Sequence, residues 1–123
     1  MEKKLETDNL TDFVNSDIVK LFSKKALFTL EHPIPNKAEW GLFDLQFSKS
    51  MPLTYKRFAD GGKLSSLELH TCILLLLGYD EKTIVGLTDT SSQAISTAKA
   101  RANKKLFGIK SAIPLKSNLR GII

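Results

Sequence analysis

The residues of this chain best suited to bonding a polyanion are gathered in one stretch. Ser92, Gln93, Ser96, Thr97, Lys99, Ala100, Arg101, Lys104 and Lys105 interleave amide, hydroxyl and cationic side chains with small ones. Long basic side chains can bond phosphate oxygens or base edges, and small neighbours let a helix backbone come close to a groove floor. Lys82, one helix earlier, can point its ammonium group at a phosphate. The same pattern also describes an ordinary amphipathic helix with a solvated basic face.

The charge distribution favours the first reading. The chain has 123 residues and a net charge of +5. From Thr90 onward there are seven basic residues (Lys99, Arg101, Lys104, Lys105, Lys110, Lys116, Arg120) and no acidic one. Residues 1–89 hold 11 basic and 13 acidic residues, a net of −2. A one-sided basic region is the electrostatic footprint of a polyanion binder. Anionic lipid and RNA would share that footprint, but RNA recognition wants stacking aromatics, and Phe107 is the only one in the basic half.

These residues need a helix to present them. Thr88-Asp89-Thr90-Ser91 is rich in turn and capping types, and either Ser91 or Thr90 can cap the helix that follows. Over about 91–106 the alanines at 94, 98, 100 and 102 cost little to hold helical. Ile95, Ala98, Ala102 and Leu106 recur at three- and four-residue intervals and must pack inward. Gln93, Ser96, Thr97, Ala100, Arg101 and Lys104 are left outside. Before this helix, Asp80 can cap a short one from Glu81 to Leu87, with Ile84 and Leu87 facing in. Before that, Ser65 and Glu68 form a capping box ahead of an apolar run through Leu69, Cys72, Ile73 and Leu76, which Gly78 ends. The long apolar helix would cover the back of the other two, giving a helix-turn-helix on its scaffold.

Upstream, residues 1–10 read as a flexible amino terminus. A helix is expected over about 11–26, with Leu10, Phe13, Val14, Ile18, Leu21 and Phe22 at helical spacing and bases following acids along it. The prolines of His32-Pro33-Ile34-Pro35-Asn36 stop what precedes them. A further helix over about 37–49 carries Trp40, Phe43, Leu45 and Phe47, the largest aromatic surface in the chain. Pro52 opens another to Asp60, with Leu53, Tyr55 and Phe58 to pack and Gly61-Gly62 to close it.

Other chemistries find little support. There is one cysteine, Cys72, at a spacing that buries it, and with His32 and His70 it makes a poor ligand set, so no metal or other cofactor is expected. No Gly-x-Ser-x-Gly elbow, Gly-rich phosphate loop or HExxH pair is present, and Asp44, Asp60 and Asp80 stand singly; no catalytic residue and no enzyme activity are expected. The longest apolar run, Cys72–Leu77, is far short of a membrane span, and the charged, polar start MEKKLETDNL does not resemble a signal peptide, which points to the cytoplasm.

Leu64-Ser65, Glu68-Leu69, Gly78, Lys82, Ile84, Ser91, Ile95 and Lys105-Leu106 resemble, in order and spacing, the LuxR-type helix-turn-helix pattern L[ST]xxEL, G, KxIA, S, TV and KL. Ser16-Asp17-Ile18-Val19, Trp40, Phe47, Met51-Pro52, Phe58, Cys72, Ala94-Ile95-Ser96, Arg101 and Lys105-Leu106-Phe107-Gly108 resemble a Bacteroidetes version of that module, an output domain that follows a sensor or tetratricopeptide region. The resemblance covers about residues 16–122. It departs from the pattern at Ala94, Val85 and Thr88, while Asp89 adds a negative charge at the turn and Gly86 weakens the short helix. These departures bear on affinity more than on fold.

The resemblance implies an all-α, compact multi-helix domain with a carboxy-terminal LuxR-type helix-turn-helix. Residues 11–63 would be a helical support region and 64–123 the DNA-binding region, together one compact domain. It implies a transcription regulator acting through the major groove and usually as a dimer. The groove-facing positions would be Ser96, Thr97 and Ala100, with Gln93 and Arg101 close by, and Lys82, Lys99, Lys104 and Lys105 would contact phosphates. Double-stranded DNA is the expected partner, with a homodimer and a sensor or polymerase partner as further candidates. The alternative is an interaction adaptor that keeps the fold with weakened DNA contact, which Ala94, Ala100 and Asp89 favour. A last helical turn is expected from about Leu115, with Ile122 and Ile123 tucked onto the core or forming a small interface.

Overall fold

The computed structural model describes residues 3–28, 34–109 and 115–121, with backbone alone for 3–8. His32, Pro33, Lys110, Ile122 and Ile123 lie outside the described residues. Within them every regular element is helical: α1 (Lys3–Val14), α2 (Asp17–Lys25), α3 (Lys37–Ser50), α4 (Pro52–Lys56) continued by a π turn (Arg57–Gly61), α5 (Ser66–Leu76), α6 (Glu81–Thr88), α7 (Ser92–Phe107) and α8 (Leu115–Gly121). One buried apolar cluster runs through them from Phe13 to Leu119.

The amino-terminal part corrects the sequence reading. The backbone is already helical at Lys3, and the single helix expected over 11–26 is two helices. Ser16 breaks it: its hydroxyl donates to the Phe13 carbonyl at 2.6 Å, and its backbone is extended at the start of α2. Short hydroxyl side chains compete with the helical ladder in this way. The break moves the buried face, so that Phe13, Val19 and Phe22 are inside while Val14 is 43% exposed.

Helix α3 starts at a capping box that the sequence reading did not single out. Asn36 Oδ1 accepts from the Glu39 amide at 2.8 Å, and Glu39 Oε1 accepts from the Asn36 amide at 2.9 Å. Phe43 and Phe47, one turn apart, are fully buried. Leu45, two residues from each, projects to the other side and is half exposed, contrary to expectation. Phe13 meets Phe43 and Phe47 edge to face at 5.5 and 5.1 Å, as Trp40 meets Phe22 at 4.9 Å, while Phe22 stacks on Phe43 at 4.3 Å and Phe47 on Phe58 at 6.1 Å. Such pairs add stabilisation beyond their buried area.

Pro52 begins α4 as expected, but the helix loosens at once into the π turn, with the Gly62 amide donating to the Arg57 carbonyl at 2.8 Å. Thr54 and Phe58, one helical turn apart, face inward, and Leu53 faces outward (59% exposed). A Cβ on Gly62 would stand 2.6 Å from Leu106 Cδ2, so the bare glycine lets the end of α7 close onto the π turn.

The last four helices form the module that places the basic residues. In α5 the expected capping box is present: Ser65 Oγ accepts from the Glu68 amide at 3.3 Å, and Glu68 Oε1 accepts from the Ser65 amide at 3.0 Å. Residues Thr71 to Leu76 are all buried, as a scaffold helix touched by α6, α7 and α8 requires. Gly78, at φ +93°, ends it in a Schellman turn, with the Tyr79 amide bonded to the Leu74 carbonyl at 3.2 Å and its own to Leu75 at 3.0 Å. The support and the module meet at several points. His70 of α5 stacks on Trp40 with ring centroids 4.0 Å apart and bonds both Asp44 oxygens, at 2.8 and 3.0 Å. Phe28 lies against Gly86 of α6, where an added Cβ would stand 2.4 Å from its ring.

Candidate nucleic-acid interface

The turn between α6 and α7 is built by side chains already suspect in the sequence. Asp80 caps α6, its Oδ1 accepting from the Thr83 amide at 2.8 Å. At the other end Asp89 adopts the left-handed conformation (φ 53°), which Asp tolerates better than most residues. The Thr90 amide then reaches the Val85 carbonyl at 3.2 Å and the Asp89 amide reaches Gly86 at 3.3 Å, a second Schellman turn. Thr88, where the pattern wants leucine, bonds the Ile84 carbonyl at 2.7 Å and the Thr90 hydroxyl at 2.8 Å, while Leu87 is the buried residue. Of the two cap candidates it is Ser91 that acts, its Oγ accepting from the Ala94 amide at 3.1 Å.

Helix α7 then has two clear sides. Ile95, Ala98, Ala102 and Asn103 are buried, with Leu106 packed against the core. Small Ala98 and Ala102 allow a close approach to neighbouring helices. Asn103, absent from the expected stripe, is buried because Asn118 of α8 donates its side-chain amide to Asn103 Oδ1 at 3.0 Å. At ~100° per residue, Gln93, Ser96, Thr97, Ala100, Arg101 and Lys104 share the opposite side. Gln93, Ser96, Arg101 and Lys104 are exposed, while Thr97 and Ala100 are partly so. Ser92 is exposed in the first turn, at the edge of this face.

Two lysines expected with this group are held elsewhere. Lys99 lies on the inward side of α7, its Nζ 3.8 Å from Glu81 Oε1 at the start of α6. Lys105 Nζ bonds Glu68 Oε1, the acid of the α5 capping box, and Glu68 is only 4% exposed. Burial raises the Glu68 pKa, but the bonds from Lys105 and Ser65 and the Lys105 charge outweigh it, and the net shift is downward. Lys105 thereby neutralises a carboxylate that would otherwise stand behind Arg101. Lys82, on α6, is exposed. Sequence spacing within one helix could not show either pairing, because each partner is on another helix.

Thr97 and Arg101 line a hollow of about 240 Å³ whose far wall includes Ser65 and Glu68. Arg101, Lys104 and Lys105 border a wider, shallower one beside it. Among the described residues, Gln93, Arg101 and Lys104 make no hydrogen bond or ion pair through their side chains. The arrangement can do hydrogen bonding and charge neutralisation along a strip.

Cys72 is buried, and burial first, with the Glu68 charge second, pushes its thiol up to about 12. It is a core residue. No group of His, Cys, Asp or Glu able to hold a metal occurs among the described residues, and no helix there is long and apolar enough to cross a membrane. Comparison of the chain with family models, with curated proteins and with solved structures finds no match.

Proposed function

We propose that the chain is a DNA-binding transcription regulator that lays the outward face of α7 in the major groove. The observation that carries this reading is the composition of that face: Ser96, Thr97 and Ala100 are small at its centre, with Gln93, Arg101 and Lys104 exposed around them. A helix so built can approach base edges closely while its long side chains reach bases and phosphates. Lys104 and Lys82 are the phosphate contacts in this reading. Lys99 and Lys105 act behind the surface, through Glu81 and Glu68. The LuxR-type resemblance supports the same docking and the use of two half-sites by a dimer, in the cytoplasm and with a sensor or polymerase as a further partner.

A second reading, an interaction adaptor with weakened DNA contact, is favoured by that loss of two lysines to acids and by Asp89, exposed at the turn. A salt titration of binding to mixed genomic duplex fragments separates the two. Retention that falls steeply with salt and enriches a motif is expected for the regulator, and a repeated half-site would indicate a dimer. Absence of binding at low salt would transfer the assignment to the adaptor.

A further inference from the structure

Resting on the DNA-binding reading, we infer that α7 reads two particular bases in each half-site: an adenine through Gln93 and, at most about three to four base pairs along, a guanine through Arg101. Both side chains are exposed, and neither has a partner among the described residues. Gln93 stands in the first turn of α7, on the same line as Thr97 and Ala100, the next residues along the outward face. Those small neighbours leave its amide unobstructed. A glutamine amide both donates and accepts, and it matches the N6 donor and N7 acceptor of adenine in the major groove.

Arg101 lies about two turns further along, toward the α5 edge of the face. Its guanidinium matches the two acceptors of guanine, O6 and N7. Glu68 is the nearest acid on that edge and lines the same hollow. It is taken by Lys105, which leaves the guanidinium available for a base. Eight residues of helix advance about 12 Å, and base pairs are about 3.4 Å apart along the duplex axis, so a helix inclined along the groove spans at most about three to four base pairs between the two side chains. Lys104 stands on the central line but a further turn from Gln93, where a straight helix leaves the curving groove, and it is left to phosphate.

The test is selection of duplexes from a randomised library by the full chain and by two variants, Gln93→Ala and Arg101→Ala, with the salt dependence of binding to the selected site measured for each. Far-UV circular dichroism and melting confirm that these exposed substitutions leave the fold intact. The wild-type chain is expected to select an adenine and a guanine within the stated spacing. Gln93→Ala should erase the adenine preference alone and weaken the selected site about tenfold. Arg101→Ala should erase the guanine preference alone and leave the salt slope unchanged. A uniform weakening with a shallower salt slope would make Arg101 a phosphate contact and overturn the inference. Unchanged preferences in both variants would overturn it too, as would salt-dependent binding by the wild-type chain without any motif, although that last result keeps the DNA-binding reading. No retention of DNA at all would overturn both.

Discussion

The first half of the molecule is held by rings and the second by aliphatic and small side chains. Phe13, Phe22, Phe43, Phe47 and Phe58 are fully buried, all of them ahead of α5. From α5 onward the fully or nearly buried apolar residues are Cys72, leucines, isoleucines and alanines, with no aromatic among them. Large rings meeting edge to face or stacked fix one arrangement of α1 to α4 firmly. Alanines at the back of α7 trade some of that stabilisation for closeness, and they hold a helix whose outer face is free of apolar residues that would have to be covered. The stabilising rings and the proposed recognition face are thus placed in different parts of the chain, and mutation should separate them.

The largest separation is expected between Phe43→Ala and the double substitution Arg101→Ala with Lys104→Ala. Loss of the Phe43 ring leaves a cavity among Phe13, Phe22 and Trp40 and should cost about 3–5 kcal/mol in a denaturant titration. The double substitution should leave that titration within about 0.5 kcal/mol of wild type and lower affinity for duplex DNA by at least tenfold. Equal losses of stability in the two would erase the contrast.

Glu68→Gln tests the one place where the basic module depends on a buried charge. It removes the charge that pairs with Lys105 while a glutamine Oε1 can still accept from the Ser65 amide in the α5 capping box, and should destabilise by about 1–3 kcal/mol. The sign of its pH dependence follows from the lowered pKa. The Glu68 carboxylate contributes stability above its ordinary value of 4.5 and loses that contribution as pH falls through the lower folded value. The acid limb of a stability profile should therefore flatten in the glutamine variant; an unaltered limb would mean that other carboxylates govern acid unfolding.

Smaller effects are expected at the turn. Ser91→Ala removes the cap of α7 and should cost about 1 kcal/mol by thermal melting. Asp89→Gly relieves a left-handed residue and should stabilise by about 0.5–1 kcal/mol. Because it also removes an exposed acid at the turn that leads into α7, tighter DNA binding should accompany the gain. A gain in stability with unchanged binding would place the turn away from the DNA.

The parts of the molecule legible in the sequence were those set by near neighbours along the chain. The caps at Ser65, Asp80 and Ser91 follow from side chains bonding amides three residues on, and the inward line of Ile95, Ala98 and Ala102 follows from helical period. What was not legible depends on distant partners or on small backbone departures. Ser16 reads as one more polar position until its hydroxyl is seen on the Phe13 carbonyl. Leu53 lies outside because the buried line of this helix runs through Thr54 and Phe58 instead. Asp44 looked like a solvated carboxylate, yet it holds His70, which is 26 positions away in sequence. Lys99 and Lys105 looked identical in kind to Lys104, but they are paired with Glu81 and Glu68 on other helices.

Phe28 resting on Gly86 has a consequence for how the module could be exchanged between proteins. The glycine that lowers the helical propensity of α6 is one of the sites at which the first half of the chain touches the last four helices. A chimera that carried α5 to α8 onto another support would have to supply a ring of its own at that spot, or fill the notch by replacing the glycine with alanine. The last four helices are therefore matched to their mount, and the unit that can be moved intact includes both.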